Sequence, residues 1–432
     1  MSKSPRKPAI VIGDATSSST GYAMRAKQQG RRVIELRTLP ASTDYYTRAY
    51  RPELIDEVVD YRLLGSSDTA VLDALHDHGP LVIGADSSVG IVERLQKQRG
   101  ELRNAANRIE ARYDKAAQAE AMAAAGLPIP EQRFCGDLMS ALRFAHGRYP
   151  VVLKPTASAG TDGVLLAHKP TELRGHFETI ASSPSLYGRR NRGALVMDYI
   201  DPGQAAEYAV DAVSLDGRRI VTDVWRYEKE PMAATPAMYR SAMTVPLDEA
   251  RPEIAFAMRM LDAVGHHHGP SHTELWRLDS GGLRHRYGSA HLPVETASRL
   301  PGVVPQLSAA AYRRDQVELG YRALVEPETF AAAADAAEAV PESAHRTAAV
   351  VFWASPRSGT LRRAVPIEQL RALRSYTGHD LRAQASGDPV AATIDLPSVL
   401  GSIRLLHADR SVVTQDIETL RQLEKEVATD VV

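Results

Sequence analysis

The chain has one cysteine, Cys135, which excludes an intramolecular disulfide and any metal site built from several thiolates. An excess of one charge is missing too. Lys and Arg number 52 against 53 Asp and Glu, a formal net charge of −1, so nothing marks the chain for nucleic acid or an anionic membrane surface. No apolar run reaches the roughly 18 residues of a membrane span. The basic opening MSKSPRKP leads only into the short run Ala9 to Gly13, too brief for a secretory signal. No internal repeat is visible, and no Ser-His or Cys-His pairing suggests an enzyme nucleophile. What remains, at 432 residues with 44% apolar and 24% charged content, is a cytoplasmic enzyme or binding protein of two or three domains.

The first hundred residues alternate strand and helix. PAIVIG (residues 8–13) and Val33–Leu36 read as strands around a helix at Gly21–Gln29, and a helix at Asp68–His78 leads to a strand at Leu81–Ala85. That order predicts an α/β layer with a parallel sheet. The serine-rich loop after the first strand lacks G-x-G-x-x-G, which argues against a dinucleotide site. Arg108–Gly126 is alanine-rich and helical in pattern, and GLPIP stops it. Strands are expected at Leu195–Ile200, Glu207–Leu215, Arg218–Tyr227, Thr273–Leu278, His291–Thr296, Ala349–Trp353, Thr393–Leu396 and Ser402–Leu406. Ile254–Val264 has helical spacing, Ala331–Ala339 reads as a surface helix or connector, and an amphipathic helix begins near Thr414.

The most informative stretch is YPVVLKPTASAGTDGVLLAH, from Tyr149 to His168. An apolar run ends in Lys154 and Pro155, a small-residue loop follows with Ser158, Gly160 and Gly163, and a second apolar run closes a hairpin. A lysine beside such a loop can neutralise phosphate oxygens, and the loop offers backbone N–H groups with few side chains in the way. It is not a Walker A loop, because no G-K-[ST] follows and strands flank it. Further features stand in order around it. Arg112 to Lys115 start a helix that ends in GLPIP, Asp198 and Glu207 stand at the edges of two strands, His272 to Glu274 begin a strand, and Glu295 ends one in ETASRLPG.

In these motifs the chain resembles the ATP-grasp carboxylate–amine ligases, and within them the bacterial L-amino-acid ligases of the bacilysin-synthesising, dipeptide-forming type. The resemblance extends into the tail, through AVVFWASPRSGTLRRA and GDPVAATIDLPSVLGSIRLL. It implies an α/β protein, α+β in its lid and C-terminal lobe: a Rossmann-like N-terminal domain (1–107), an ATP-grasp domain (108–305) with a mobile lid at about 148–212, and a C-terminal lobe (306–432). Lys115 and Lys154 match the lysines that contact ATP phosphates, and Ser158 to Gly163 the mobile glycine loop. Met197, Asp198, Tyr199 and Ile200 match the segment beside adenine, with Asp198 where the family usually has glutamate. Glu207 matches the acid on the ribose hydroxyls, Glu274 and Glu295 the magnesium-binding acids, and Arg299 the arginine facing the reacting carboxyl. Ala297 stands where many relatives have a metal-binding asparagine, and the span from Glu274 to Glu295 carries an insertion.

The implied reaction is ADP-forming ligation. ATP and Mg²⁺, with Mn²⁺ as the alternative ion, activate an amino-acid carboxylate as an acyl phosphate, and the amine of a second amino acid displaces phosphate. Two carboxylates and two lysines suit the transfer of a phosphoryl group between anions, since magnesium prefers oxygen ligands. A non-amino-acid carboxylate in small-molecule biosynthesis is the alternative substrate, and a non-catalytic nucleotide-binding regulator the alternative class. The expected partners are small molecules, with no nucleic acid or membrane, and a homodimer is allowed. His272 either lines the substrate pocket or caps a strand. Trp225, Tyr227, Lys229, Tyr239 and Arg240 are candidates for a second-substrate pocket or plain packing. His266 to His268 read as solvated loop residues, since consecutive histidines cannot all face one ion. Cys135 reads as core.

Overall fold

In a computed structural model that describes residues 7–40, 49–76, 78–187, 190–232, 235–302, 305–341 and 345–431, the chain is built on three main sheets. Strands β1 (Ile10–Gly13), β2 (Val33–Arg37), β3 (Glu57–Asp60) and β4 (Leu81–Ile83) pair in parallel in the order β3-β2-β1-β4. Ile10, Ile12, Val33 and Val82 enter one core, and Val11, Ile34, Leu36 and Leu81 enter another on the opposite face. Burial on both faces is why these strands read as unbroken apolar runs. The first core also holds Val317 and Tyr321 of the helix Gln316–Val325, so residues from both ends of the chain share it. Packing there is close: a Cβ on Gly320 would lie 2.4 Å from the Tyr22 hydroxyl. The fully buried pair Arg112–Glu93, at 2.7 Å, adds a second tie, and Arg112 also donates to the Val264 carbonyl.

The second sheet has the order β5-β8-β6-β7, from β5 (Gln132–Cys135), β6 (Val151–Lys154), β7 (Leu165–Ala167) and β8 (Ala194–Asp198). The hairpin expected around the glycine loop is β6–β7, with Val151 opposite Ala167. Helices Leu138–Ala145 and Pro170–Ser182 cover one face, where Cys135 is buried as core.

The third sheet has eight strands. It includes β9 (Ala205–Leu215), β10 (Arg218–Met232), β11 (Thr235–Thr244), β12 (Gly269–Leu278), β13 (His291–Ala297) and β14 (Thr347–Trp353). A short pair, β15 (Gly359–Thr360) with β17 (Pro389–Val390), stands apart, while β16 (Tyr376–Leu381) and β18 (Gly401–His407) complete the order β13-β12-β9-β10-β11-β14-β18-β16. Pairing of β11 with β14 therefore joins the expected C-terminal lobe to the body as one sheet. Strand β14 is buried throughout: Ala348, Val350 and Phe352 face the body, and Ala349, Val351 and Trp353 face the helix Arg410–Thr429.

Not every sequence expectation holds. Thr393–Leu396 is not a strand; the chain there turns into a short 3-10 segment, Leu396–Ser398, in which Ser398 Oγ accepts from the Ile394 and Asp395 amides. The alanine-rich stretch is the expected surface helix, Pro327–Glu338, with Phe330, Ala334 and Ala337 buried against Val213 and Ile220. The helix expected from Arg108 begins at Lys115, after a separate short turn at Glu110–Arg112. Strand β11 was not expected at all. Among the described residues no helix is long and apolar enough to cross a membrane.

Candidate active site

The four-stranded sheet lies over the eight-stranded one, and a cavity of about 710 Å³ is enclosed between them. Its lining includes Lys115, Lys154, Ser158, Gly160, Met197 to Ile200, Glu207, Glu274 and Glu295. Lys154 ends β6 and is 8% exposed. Burial, together with the Lys115 charge, lowers its pKa to about 8 against the pull of Glu295, Glu207 and Glu274. Lys115 begins its helix directly after Asp114, whose carboxylate caps the Ala116 and Ala117 amides. Its ammonium donates to the Ser158 carbonyl at 2.6 Å and pairs with Glu295 at 2.8 Å. One lysine thus ties a helix, the glycine loop and β13 together. Burial works against that charge, but Glu295, Asp86 and Glu274 outweigh it and hold the pKa above the usual lysine value.

The glycine loop is docked rather than loose. Gly160 and Gly163 have φ of 62° and 68°, the left-handed region that glycine occupies without a Cβ clash. Asp162 accepts from the Ser158 hydroxyl and, at 2.8 Å, from the Leu186 amide. The Leu396 amide donates to the Gly160 carbonyl at 3.2 Å, and a Cβ on Gly160 would touch Pro397 at 3.4 Å. The turn formed where a strand was expected is therefore the seat of the loop.

At the other end of the cavity Asp198 is buried, and its backbone N–H donates to Glu131. Its carboxylate accepts from Arg286 at 2.7 Å and from the Tyr287 hydroxyl at 2.9 Å. Both donors belong to the short helix Gly282–Tyr287 inside the Glu274–Glu295 insertion, so the insertion closes this end of the cavity. Glu207 pairs with Lys229 at 2.6 Å; burial raises the Glu207 pKa, with Lys229 opposing. The Lys229 ammonium sits 3.9 Å above the Tyr239 ring, which places Lys229 in the phosphate-side cavity as well.

Glu274 and Glu295 are direct cross-strand partners on β12 and β13. Burial would raise the Glu274 pKa, but the His272 hydrogen bond and the Lys229 charge hold it at about 2. Among the described residues no cluster of three or more His, Cys, Asp or Glu could hold a metal. Two facing carboxylates and no more suit Mg²⁺, which takes one or two carboxylates and fills its shell with water and phosphate oxygens. Ala297 stands opposite His272 across the same strand pair.

His272 lies in a polar row that the sequence did not reveal. Asp223 on β10, Asp211 on β9 and His272 on β12 are successive cross-strand neighbours. His272 Nδ1 donates to Asp211 at 2.6 Å, and its other nitrogen lies 3.3 Å from Glu274. Burial works against the imidazolium, yet Asp211 and Glu274 raise the His272 pKa to about 10. Asp223 accepts from Trp225 Nε1 at 2.7 Å and from Ser308 at 3.1 Å. The second oxygens of Asp211 and Asp223 have no conventional donor. Burial and the neighbouring Asp211 push the Asp223 pKa far up.

Arg299 lines a second cavity of about 500 Å³, which shares Glu274, Glu295, Tyr227 and Tyr239 with the first. Its guanidinium pairs with Asp86 at 2.6 Å and donates to the Leu300 carbonyl at 2.9 Å. Asp86 follows β4, at the carboxyl end of the parallel sheet, where open α/β sheets place their ligand-facing loops. That position was the available signal for Asp86. Arg240 is not brought to the site. It pairs with Glu424 at 2.5 Å and Glu230 at 2.6 Å, on the side of β11 opposite Tyr239, and anchors the helix Arg410–Thr429. The histidine run is likewise not uniformly solvated: His266 is fully buried between Ser298 and the Gly269 carbonyl.

Comparison with known proteins follows this geometry. Residues 147–285 match the ATP-grasp domain family. The dapdiamide A synthase of Enterobacter agglomerans is 25% identical over 319 residues, covering 73% of this chain and 71% of that protein. The L-amino acid ligase of Bacillus licheniformis superposes with a TM-score of 0.70 at 17% identity, covering 98% of both chains. The N5-carboxyaminoimidazole ribonucleotide synthetase of Thermotoga maritima gives 0.63 at 15% identity, covering 96% of this chain and 98% of that one. The chain carries an ATP-grasp domain, and around that domain it has the ATP-grasp fold throughout.

Proposed function

We propose that this protein is an ATP-dependent ligase that activates an amino-acid carboxylate as an acyl phosphate and joins it to the amine of a second amino acid, releasing ADP and phosphate. One observation carries the reading: Lys115, Lys154, Glu274, Glu295 and Arg299 converge where the cavity between the sheets meets the cavity beside Arg299. The alternative class, a non-catalytic regulator, would have no need to hold an arginine in the cavity that two facing carboxylates line.

In this reading Met197 to Ile200 border the adenine, and Glu207 takes the ribose hydroxyls once Lys229 shifts to share it. Lys154 and Lys115 neutralise the phosphates, and bound nucleotide keeps Lys154 protonated. Glu274 and Glu295 would hold Mg²⁺, which supplies charge neutralisation between nucleotide and carboxylate. Arg299, oriented by Asp86, faces the substrate carboxylate. The docked glycine loop excludes water from the acyl phosphate, which would otherwise hydrolyse. The amine nitrogen then attacks the acyl carbon, the C–O bond to phosphate breaks, and the amide forms without an enzyme nucleophile. The divisions 1–107, 108–305 and 306–432 are read as an N-terminal α/β domain, the ATP-grasp domain and a C-terminal lobe that completes the ligase. Mass spectrometry of products from ATP, Mg²⁺ and mixed amino acids, run beside an ADP-release assay, tests the reading. Dipeptides with matching ADP support it; ADP release with no response to any amino acid removes it.

A further inference from the structure

The cavity beside Arg299 has two chemically different ends. Toward the nucleotide it presents Glu274, Glu295 and Arg299, the groups that meet the reacting carboxyl. Away from them it presents Trp225, Ala242, Val350, Phe352 and Leu396. The polar handles at this end are already spent. Trp225 Nε1 is bound to Asp223 and Ser308, and the Tyr239 hydroxyl lies 3.4 Å from Glu274, so both polar groups already have partners. Ala242 and Val350 are direct cross-strand partners on β11 and β14, so they form one continuous stretch of floor. Ala242 is the smallest side chain in it, with the Tyr239 and Phe352 rings packed edge to face at 6.2 Å nearby. Arg382 also lines the cavity, but its side chain is exposed, at the rim shared with a further space of about 760 Å³. At about 500 Å³ the cavity falls within the roughly 300–1,000 Å³ of small-ligand pockets.

We infer that the amino acid whose carboxyl is activated carries an uncharged, apolar side chain of leucine, methionine or phenylalanine size, seated on the Ala242–Val350 floor. This rests on the proposed ligase reading and adds the substrate class. A charged side chain there would be desolvated against aromatic and aliphatic groups, and the further charged groups that line the same cavity, Asp211 and His272, are already paired with each other at 2.6 Å, whereas each buried methylene contributes to binding. The size limit is set at Ala242, because any larger residue at that position occupies the space the side chain needs.

Hydroxylamine in place of the second amino acid isolates this half of the reaction, since it traps an acyl phosphate as a hydroxamate with loss of phosphate. Single amino acids are supplied with ATP and Mg²⁺, and hydroxamate and ADP are both measured. Leucine, methionine and phenylalanine should exceed aspartate, lysine and serine by at least about tenfold in kcat/KM, the scale of a methylene or two in an apolar pocket. Ala242→Phe should lower kcat/KM for leucine and phenylalanine by about 10- to 200-fold and for alanine far less. Ala242→Val provides a graded, better-tolerated step, and ADP affinity shows whether either variant has folded. Preference for an acidic or basic amino acid, or an equal loss on alanine and leucine in a folded Ala242→Phe, overturns the inference. If no amino acid is activated but other carboxylic acids release ADP, the amino-acid reading fails separately. Isocaproate against succinate then decides the side-chain claim by the same ratio.

Discussion

Glu274 and Glu295 face one another directly across β12 and β13, and Lys115 pairs with the second of them at 2.8 Å. The lysine and a metal ion would compete for the same carboxylate, so loading the site should loosen that ion pair. Glu295→Gln should raise the Mg²⁺ concentration for half-maximal turnover by tenfold or more and leave metal-free nucleotide affinity much less affected. A magnesium titration at saturating ATP checks this; an unchanged midpoint would remove Glu295 from the metal site.

Arg299 is held by Asp86, 213 residues earlier in the chain. Its contact should be stronger in the transition state, when charge spreads over the transferring phosphoryl group. Arg299→Ala should cost about a hundredfold to a thousandfold in kcat, roughly 3–4 kcal/mol, with Mg·ATP affinity nearly intact. Arg299→Lys should recover only part of it, because the planar fork is lost. Asp86→Asn should cost less than either, since it loosens the guanidinium without removing it. Steady-state kinetics beside calorimetric nucleotide binding separates these effects.

The Gly160 carbonyl and the Leu396 amide join the glycine loop to the C-terminal turn. A nucleotide held beneath the loop should strengthen that seat. Hydrogen exchange at residues 158–163 and at Leu396 should slow together when an ATP analogue and Mg²⁺ are added. Protection of one segment without the other would show that they do not close as a unit.

His266 is fully buried, and burial lowers its pKa to about 3. The unfolded chain, with histidine near pKa 6.5, binds this proton more readily than the folded one. The stability His266 contributes is therefore complete above about pH 6.5 and is lost as pH falls toward 3, at up to about 1.4 kcal/mol per pH unit. His268 and His345, each lowered to about 4 chiefly by burial, steepen the loss in the same direction. Urea unfolding at pH 7, 6 and 5 should show this fall, and His266→Gln, less stable at pH 7, should show a shallower one. Equal slopes for the two proteins would contradict it.

The parts of the site legible in the sequence were those with a local signature. The β6–β7 hairpin announces Lys154, whereas the helix was expected from Arg108 and the cap that starts it at Lys115, Asp114, was not read. Strands β12 and β13 showed their acids because apolar residues flank them. Pairings between distant segments leave no local signature: the position of Asp86 after a parallel strand marked the loop but not its pairing with Arg299, and nothing marked the row Asp223–Asp211–His272. Strand β11 was missed because TPAMYRSAMT has no clean alternation and carries Pro236. Its existence is what sends Tyr239 inward and Arg240 outward to Glu424, since neighbouring strand residues face opposite sides. His266 was misjudged because a histidine run looks polar, whereas the residue before β12 is pulled into the core by Ser298 and Gly269.

Transfer of a carboxylate oxygen to phosphate tests the central claim most directly. An amino acid labelled with ¹⁸O in its carboxyl group is turned over with ATP and Mg²⁺, and the released phosphate is analysed for isotope. Activation as an acyl phosphate predicts ADP as the nucleotide product and one ¹⁸O in each phosphate per amide formed. Label recovered in AMP, with pyrophosphate released, would mean adenylation and would contradict the account.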